Sequence, residues 1–271
     1  MKIRVLAAVA LLPLLLLVVL LLPKICTAIL FGALAAIGSY ELLVGTGYVK
    51  HAGLVIQSCA AAFLVALWSY FQVSYGWTMV AIFLFLALLY GQVLLSHGKL
   101  SYERVMVCLP AGLLIPFMLT ALVRLHIHEQ GRFLILIPFV IAFLSDTGAY
   151  FAGRAFGKHK LAPVISPNKT VEGVVGGVLG AILGMVLYCL ILNKFFSFQV
   201  NYVYAAIYGF VGSLAAVFGD LSFSVIKRQT GIKDYGNLIP GHGGVLDRFD
   251  SMTVVAPLVE ALLFVIPVVM K

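Results

Sequence analysis

The stretch Ser224–Asp250, SVIKRQTGIKDYGNLIPGHGGVLDRFD, gathers most of the side chains in this sequence that could do chemistry. It holds the acids Asp234, Asp247 and Asp250, the histidine His242, and the cations Lys227, Arg228, Lys233 and Arg248. Gly231, Gly236, Gly241, Gly243 and Gly244 are interleaved with them. Packing does not explain such a density of charge and glycine in an otherwise oily chain. Carboxylates beside lysines and arginines suit phosphates and a divalent metal. Magnesium prefers one or two carboxylates, completed by phosphate oxygens and water. Asp220 and Asp247 are the pair expected to hold it. Asp220, Ser224 and Lys227 recur at helical spacing and share one face, with Arg228 beside it. The plainer reading of that stripe is an Asp–Lys pair neutralising itself at a helix end.

Pro240-Gly241-His242-Gly243-Gly244 cannot form a regular helix or a central strand. Its glycines allow a backbone to approach a ligand closely, and consecutive N–H groups can cradle an anion. His242 has no second histidine or cysteine at ligand spacing. It therefore reads as a hydrogen-bond donor to phosphate, or as a structural residue, ahead of a zinc ligand. A second polar block runs over Ser145–Gly173, SDTGAYFAGRAFGKHKLAPVISPNKTVEG. Asp146, Tyr150 and Gly153 share a helical face there, and Arg154, Lys158, Lys160 and Lys169 make the following loop cationic. Asn168 or Thr170 is expected to cap the next helix, with Glu172 in its first turn.

The elements that position these groups are membrane helices. The 271-residue chain is 63% hydrophobic and 10% charged, with a mean hydropathy of +1.12. Soluble domains carry about 25% charged residues. The fold class is therefore an all-α integral membrane protein. Nine runs approach the roughly 20 apolar residues a spanning helix needs: 5–22, 25–45, 52–72, 77–96, 105–124, 133–153, 171–192, 202–224 and 252–270. The runs are long and continuous, which excludes a β-barrel. The first is expected to be a retained helix, since no clear small-residue cleavage site follows it. With the N-terminus in the cytoplasm, thirteen lysines and arginines fall on the cytoplasmic side and five on the other, as positive-inside placement requires. Trp68, Tyr70, Phe71, Tyr75 and Trp77 flank an outer loop like an interfacial aromatic belt.

The net charge of +8 follows from the cytoplasmic loops and favours anionic membrane lipids. No basic soluble domain is present, so nucleic acid is not an expected partner. Cys26, Cys59, Cys108 and Cys189 lie in or beside apolar runs and read as small buried hydrophobes. Residues 1–132 are expected to be scaffold, lipid groove or oligomer surface, including that of a homodimer. Residues 133–271 are expected to be the catalytic region, with cytoplasmic loops over 154–170 and 225–251. An ionisable residue in a span costs at least about 2.5 kcal/mol at the bilayer centre, so it points to function. Glu41, Asp146, Asp220 and Glu260 are such residues, and the first three sit near the cytoplasmic ends of their helices. The repeated glycines of 173–184 form a small-residue seam for helix packing.

At this point the residues resemble a known family. Ser224, Lys227-Arg228, Lys233-Asp234, Pro240–Gly244, Asp247-Arg248 and Asp250 are similar to the signature of the phosphatidate cytidylyltransferase, or CDP-diacylglycerol synthase, family. The block over 146–173, with its DTGAY, SPxKT and EG elements, resembles that family's second polar region. The likeness covers about residues 133–252; the first half agrees only in character. It implies that CTP and phosphatidate give CDP-diacylglycerol and pyrophosphate with magnesium, in the cytoplasmic (inner) membrane, at a site facing the cytoplasm. It places the metal on Asp220 and Asp247, and phosphate handling on Lys227, Arg228, Lys233, His242 and Arg248. Asp146 and Asp250 are further acidic members. Tyr150, Arg154, Ser166, Lys169, Thr170, Ser224, Gly243 and Gly244 complete the expected substrate-binding set. A CTP-dependent lipid kinase and an ion-coupled transporter are the rival readings. The kinase would release CDP, and the transporter would place Asp146 and Asp220 near the midplane of repeated halves.

Overall fold

The computed structural model describes residues 13–97, 99–238 and 243–270. Among these residues seven helices are long and apolar enough to cross a membrane: Lys24–Gly45, Ala52–Phe71, Tyr75–Leu95, Tyr102–Ile127, Gly131–Phe156, Val171–Phe196 and Tyr202–Gln229. They correspond to seven of the nine expected runs. The first expected run lies partly outside the described residues; residues 13–20 are helical. The bounds of the last, expected at 252–270, are corrected. Its helix runs Leu246–Val265 and is not among the seven. Pro267, which has no N–H to donate, follows its end. The chain then extends, and Val269–Met270 pairs antiparallel with Gln199–Val200.

Two compact units divide the chain: Met1–Arg132 with Thr230–Phe249, and Phe133–Gln229 with Asp250–Lys271. In the first unit, helix α1 (Lys24–Tyr40) ends in a π-helical turn, Glu41–Gly45. It packs on α2 (Ala52–Phe71) so closely that a Cβ at Gly32 would meet the Phe63 ring at 3.0 Å. Helix α3 (Tyr75–Leu95) buries only Phe85 and Leu89. Its Trp77, Phe83, Leu88, Leu94 and Leu95 are exposed, as a lipid-facing helix would leave them. The run expected as one helix over 105–124 is broken. Pro110 opens a π-helical turn, Pro110–Leu114, between α4 (Tyr102–Leu109) and α5 (Ile115–Leu119). A proline inside a helix removes an i→i−4 hydrogen bond, and the ladder slips. Helix α6 (Ala121–Ile127) completes that span. Lys24 ties its end to α1, donating to the carbonyls of Ile127 and His128 at 3.1 and 2.9 Å.

In the second unit, the short helix α7 (Gly131–Leu134) leads into α8 (Leu136–Phe156). The loop expected over 154–170 is instead a helix end followed by a hairpin. Strands β1 (Lys160–Ala162) and β2 (Ser166–Thr170) pair antiparallel, Lys160 opposite Thr170. Thr170 then caps α9 (Val171–Phe196), its Oγ1 accepting the Gly173 N–H at 3.1 Å. After β3 (Gln199–Val200), α10 (Tyr202–Gln229) already contains Lys227 and Arg228. Helix α11 (Leu246–Val265) contains Asp247, counted with the first unit, and Asp250, counted with the second, so the expected 225–251 loop is helical at both ends; β4 is Val269–Met270. Among the described residues the fold is helical with two short two-stranded sheets.

The glycine seam joins α8, α9 and α10. A Cβ at Gly148 would lie 2.4 Å from the Gly176 carbonyl oxygen, and one at Gly209 2.5 Å from the Ile182 Cα. With no side chain between them, backbones meet directly and dispersion contacts replace the driving force that lipid cannot supply. Gly148→Ala must therefore move backbone. It is expected to destabilise the protein by about 1–3 kcal/mol, as overpacking does. Gly91→Ala, where nothing lies within 4 Å of the new methyl, should stay near the wild type. Thermal unfolding of both variants in detergent checks this; equal midpoints would remove the seam's role.

Candidate active site

In the second unit, Asp220 sits near the last turns of α10 with Lys169 from β2 against it as an ion pair. Ser224, one turn on, donates its hydroxyl to Asp220 Oδ1 at 3.2 Å. Lys227, a further turn on the same face, is buried. Three sequence-assigned residues of α10 thus line one stripe, and a lysine the sequence did not pair with Asp220, Lys169 of the hairpin, forms an ion pair with it. Arg228 points elsewhere, its Nε donating to the Ile165 carbonyl at 3.1 Å and tying the hairpin to α10.

Asp250 faces the same cluster. Burial pushes its carboxyl up from 3.8 to about 7. The Asp220 carboxylate adds to that, and so, more weakly, does Asp146. The Ser251 N–H, at 2.7 Å, and Lys227 act in the opposite direction. Asp250 lies outside the seven candidate spans. Carboxylates gathered closely enough to work against one another's ionisation answer best to a cation. Among the described residues no group of three or more His, Cys, Asp or Glu is arranged to hold a metal alone. The donor set therefore fits a magnesium ion held by one or two carboxylates and completed by phosphate oxygens.

Asp146 is exposed on α8. One turn on, the Tyr150 hydroxyl accepts from Arg154 Nη1 at 3.2 Å, so the expected Asp146–Tyr150 face continues to Arg154. Ser166 lies at the start of β2, opposite Ala162. Thr170 is buried as a helix cap, which accounts for it without a substrate. Glu172, expected in the first turn of α9, is there. It accepts the Lys158 and His159 N–H groups at 3.1 and 3.3 Å and pairs with the His159 ring at 2.6 Å. It fastens the hairpin to the helix start.

In the first unit, Asp247 opens α11. Its Oδ2 accepts the Tyr235 N–H at 2.8 Å and the Gly244 N–H at 3.0 Å. The Gly244 amide, expected to cradle an anion, is engaged by this carboxylate. Gly243 adopts φ +84°, and a Cβ there would sit 2.9 Å from Asp247 Oδ2. Lys233, Asp234 and Arg248 are exposed around this loop. His242, with Pro240 and Gly241, lies outside the described residues. Glu41, marked by the sequence as an ionisable residue pointing to function but given no partner, is buried and accepts the Val245 and Leu246 N–H groups. Its one signal was a charge inside an apolar run.

The pattern of the cytidylyltransferase family matches residues 2–266, and the chain belongs to that family. It is similar to proteins named phosphatidate cytidylyltransferase. It is 40% identical to that of Staphylococcus saprophyticus over 174 residues, 63% of this chain and 65% of the relative. It is 45% identical to that of Staphylococcus epidermidis over 136 residues, 50% of this chain and 51% of the relative. It is 41% identical to that of Haemophilus influenzae over 150 residues, 53% of this chain and 52% of the relative. The chain thus spans from about half to 65% of the length of these curated relatives.

The raised Asp250 has a stability signature. An acid whose folded pKa exceeds its unfolded value contributes stability that is full below the unfolded value and lost as pH rises through the folded one. The window here runs from 3.8 to about 7. Asp250→Asn, which cannot ionise, is expected to raise the metal-free melting midpoint at about pH 8 and to lose that advantage gradually toward about pH 4. Unfolding scans across that range check it; a lower midpoint at alkaline pH would contradict the buried, raised carboxyl.

Proposed function

We propose that the protein is a phosphatidate cytidylyltransferase, transferring the cytidylyl group of CTP to phosphatidate and releasing pyrophosphate. The observation that carries this reading is the cluster in the second unit, where Asp220 is met by Lys169 and Ser224 and neighboured by Asp250 and Lys227. It sets two lysines, suited to phosphates, beside two carboxylates, suited to a cation. Family membership and the names of the relatives support the same reading.

The lipid phosphate is a monoester with a second pKa near 6, so it is ionised at neutral pH and needs no strong base. One of its oxygens attacks the α-phosphorus of CTP. The new P–O bond forms as the bond to the β-phosphate oxygen breaks, and pyrophosphate carries the charge away. The barrier is the approach of two polyanions. Lys169, Lys227, Lys233 and Arg248 are the cations assigned to offset it, and holding the reactants in line contributes much of the remainder. Asp220 and Asp247 are the residues that would hold magnesium, which would supply charge neutralisation for the phosphates. His242 is assigned to phosphate. The topology we propose has nine spans, with the N-terminus and the site on the cytoplasmic side of the cytoplasmic membrane.

The test uses purified protein in detergent with phosphatidate, magnesium and CTP labelled on the α-phosphate. Label entering the lipid with release of pyrophosphate is the expected result. Label left aqueous as CDP would indicate a kinase, and no consumption of CTP would overturn both. In the same assay Asp220→Asn and Asp247→Asn are each expected to lower turnover by more than about a hundredfold, beyond the 10–100-fold typical of outer-shell partners. Their melting midpoints should stay near the wild type. A variant with full activity would remove that aspartate from the site.

A further inference from the structure

Glu41 opens the π-helical turn Glu41–Gly45 and is only 4% exposed. A buried carboxylate is costly unless donors surround it. Its two oxygens take separate amides: Oε1 accepts from the Val245 N–H at 2.9 Å and Oε2 from the Leu246 N–H at 2.8 Å. These amides lie at the start of α11, where a helix has no acceptors of its own and its dipole favours an anion. The residue before them, Gly244, gives its amide to Asp247. Three successive amides are thus divided between two carboxylates, Asp247 holding the first and Glu41 the next two.

The backbone closes on Glu41 on both sides. A Cβ at Gly244 would lie 2.5 Å from the Glu41 carboxylate, and one at Gly236 2.6 Å. A Cβ at Gly45 would lie 2.2 Å from the Tyr235 carbonyl oxygen. Gly244, which reads as ligand-binding freedom in the sequence, is here required to admit Glu41. The π-helical turn also has a use, since such bulges re-aim side chains and recur at functional sites. With Val245 and Leu246 held from behind, the first turn of α11 is fixed, and Asp247 is aimed by the position of its own backbone.

We propose that Glu41 is a positioning residue for Asp247: it locks the first turn of α11 against Gly236 and Gly244, and so sets the direction of the Asp247 carboxylate. This rests on the reading of Asp247 as a metal-bearing member of the site. Glu41→Gln is the informative change. It keeps the shape but replaces one acceptor oxygen with an NH₂ that faces an amide N–H, leaving one helix-start donor without an acceptor. Glu41→Asp keeps both oxygens on a shorter stem.

The experiment uses the full chain in detergent and has two readouts independent of turnover. These are hydrogen exchange of the segment 235–249 and the magnesium concentration that half-saturates the metal-induced shift in melting temperature. Glu41→Gln is expected to speed exchange of that segment alone by about tenfold and to raise the half-saturating magnesium by about tenfold, the lower range for an outer-shell partner. The KM for phosphatidate should stay within about twofold, because the change acts on the metal and not on lipid binding. Glu41→Asp should recover part of both effects. Unchanged exchange and unchanged magnesium response in Glu41→Gln would overturn the proposal. So would a fall in melting temperature and in protection throughout the chain with the magnesium response intact, which marks a merely structural role. If the wild-type protein transfers no cytidylyl group, the proposed function fails, while the exchange and magnesium readouts still decide whether Glu41 governs Asp247.

Discussion

A carboxylate at the margin of an apolar phase has to be answered by a cation or by several N–H groups, and this requirement shapes the polar parts of the molecule. Asp220 is answered by Lys169 and the Ser224 hydroxyl. Asp247 is answered by two amides, and Glu41 by two more. Glu172 is answered by two amides and an imidazole. Each solution fixes backbone as well as charge. A cation on a flexible stem can follow its partner, but an amide can donate only if the chain is held in place. The carboxylates therefore act as fasteners for hairpin, loop and helix start. At Asp250 the Ser251 amide and hydroxyl and the Lys227 charge stand against burial and two neighbouring carboxylates, and its pKa is still raised.

The apolar helices carry the complementary constraint. Lipid gives them no hydrophobic reason to associate, so contact has to come from close packing and buried hydrogen bonds. The α8–α9–α10 seam meets this with glycines whose missing side chains let backbones touch. Hydroxyl pairs add direction: Ser145 meets Ser213 at 2.7 Å, and Tyr188 donates to the Phe133 carbonyl at 2.8 Å. A rigid seam matters because Asp146 on α8 and Asp220 on α10 belong to the same cluster. A helix free to rotate would alter the local field at Asp250.

The readable features were those that depend on nearby residues. Seven spans were legible because apolar length is a local property, and so was the Thr170 cap, which needs only a hydroxyl three residues before an orphan amide. The Asp220–Ser224–Lys227 stripe was legible because helical periodicity places those side chains together. What failed to show was non-local or depended on backbone geometry. The partner of Asp220 is Lys169 on a hairpin that the sequence presented as a loop. The α4 span broke at Pro110, a residue that some membrane helices tolerate. Glu41 stands 204 residues from the nearer amide it accepts, and nothing in its local sequence names that partner.

The glycines of the 231–244 region show why residue type alone misassigns a role. A glycine beside cations and acids reads equally well as room for a phosphate or room for the protein itself. Distance separates the two. Where an added Cβ would meet solvent, as at Gly231, the residue serves its φ of +71° and nothing closer. Where it would meet a carboxylate at 2.5 Å, as at Gly244, the absent side chain is part of an internal contact. The amide of that glycine is then committed to Asp247 before any ligand arrives. Lys233 and Arg248 are exposed beside this backbone, which keeps the acids in place. Such a division suits transfer between polyanions. Mobile lysine and arginine stems can accommodate changing phosphate positions, and the carboxylates that would orient a metal have to stay where they are.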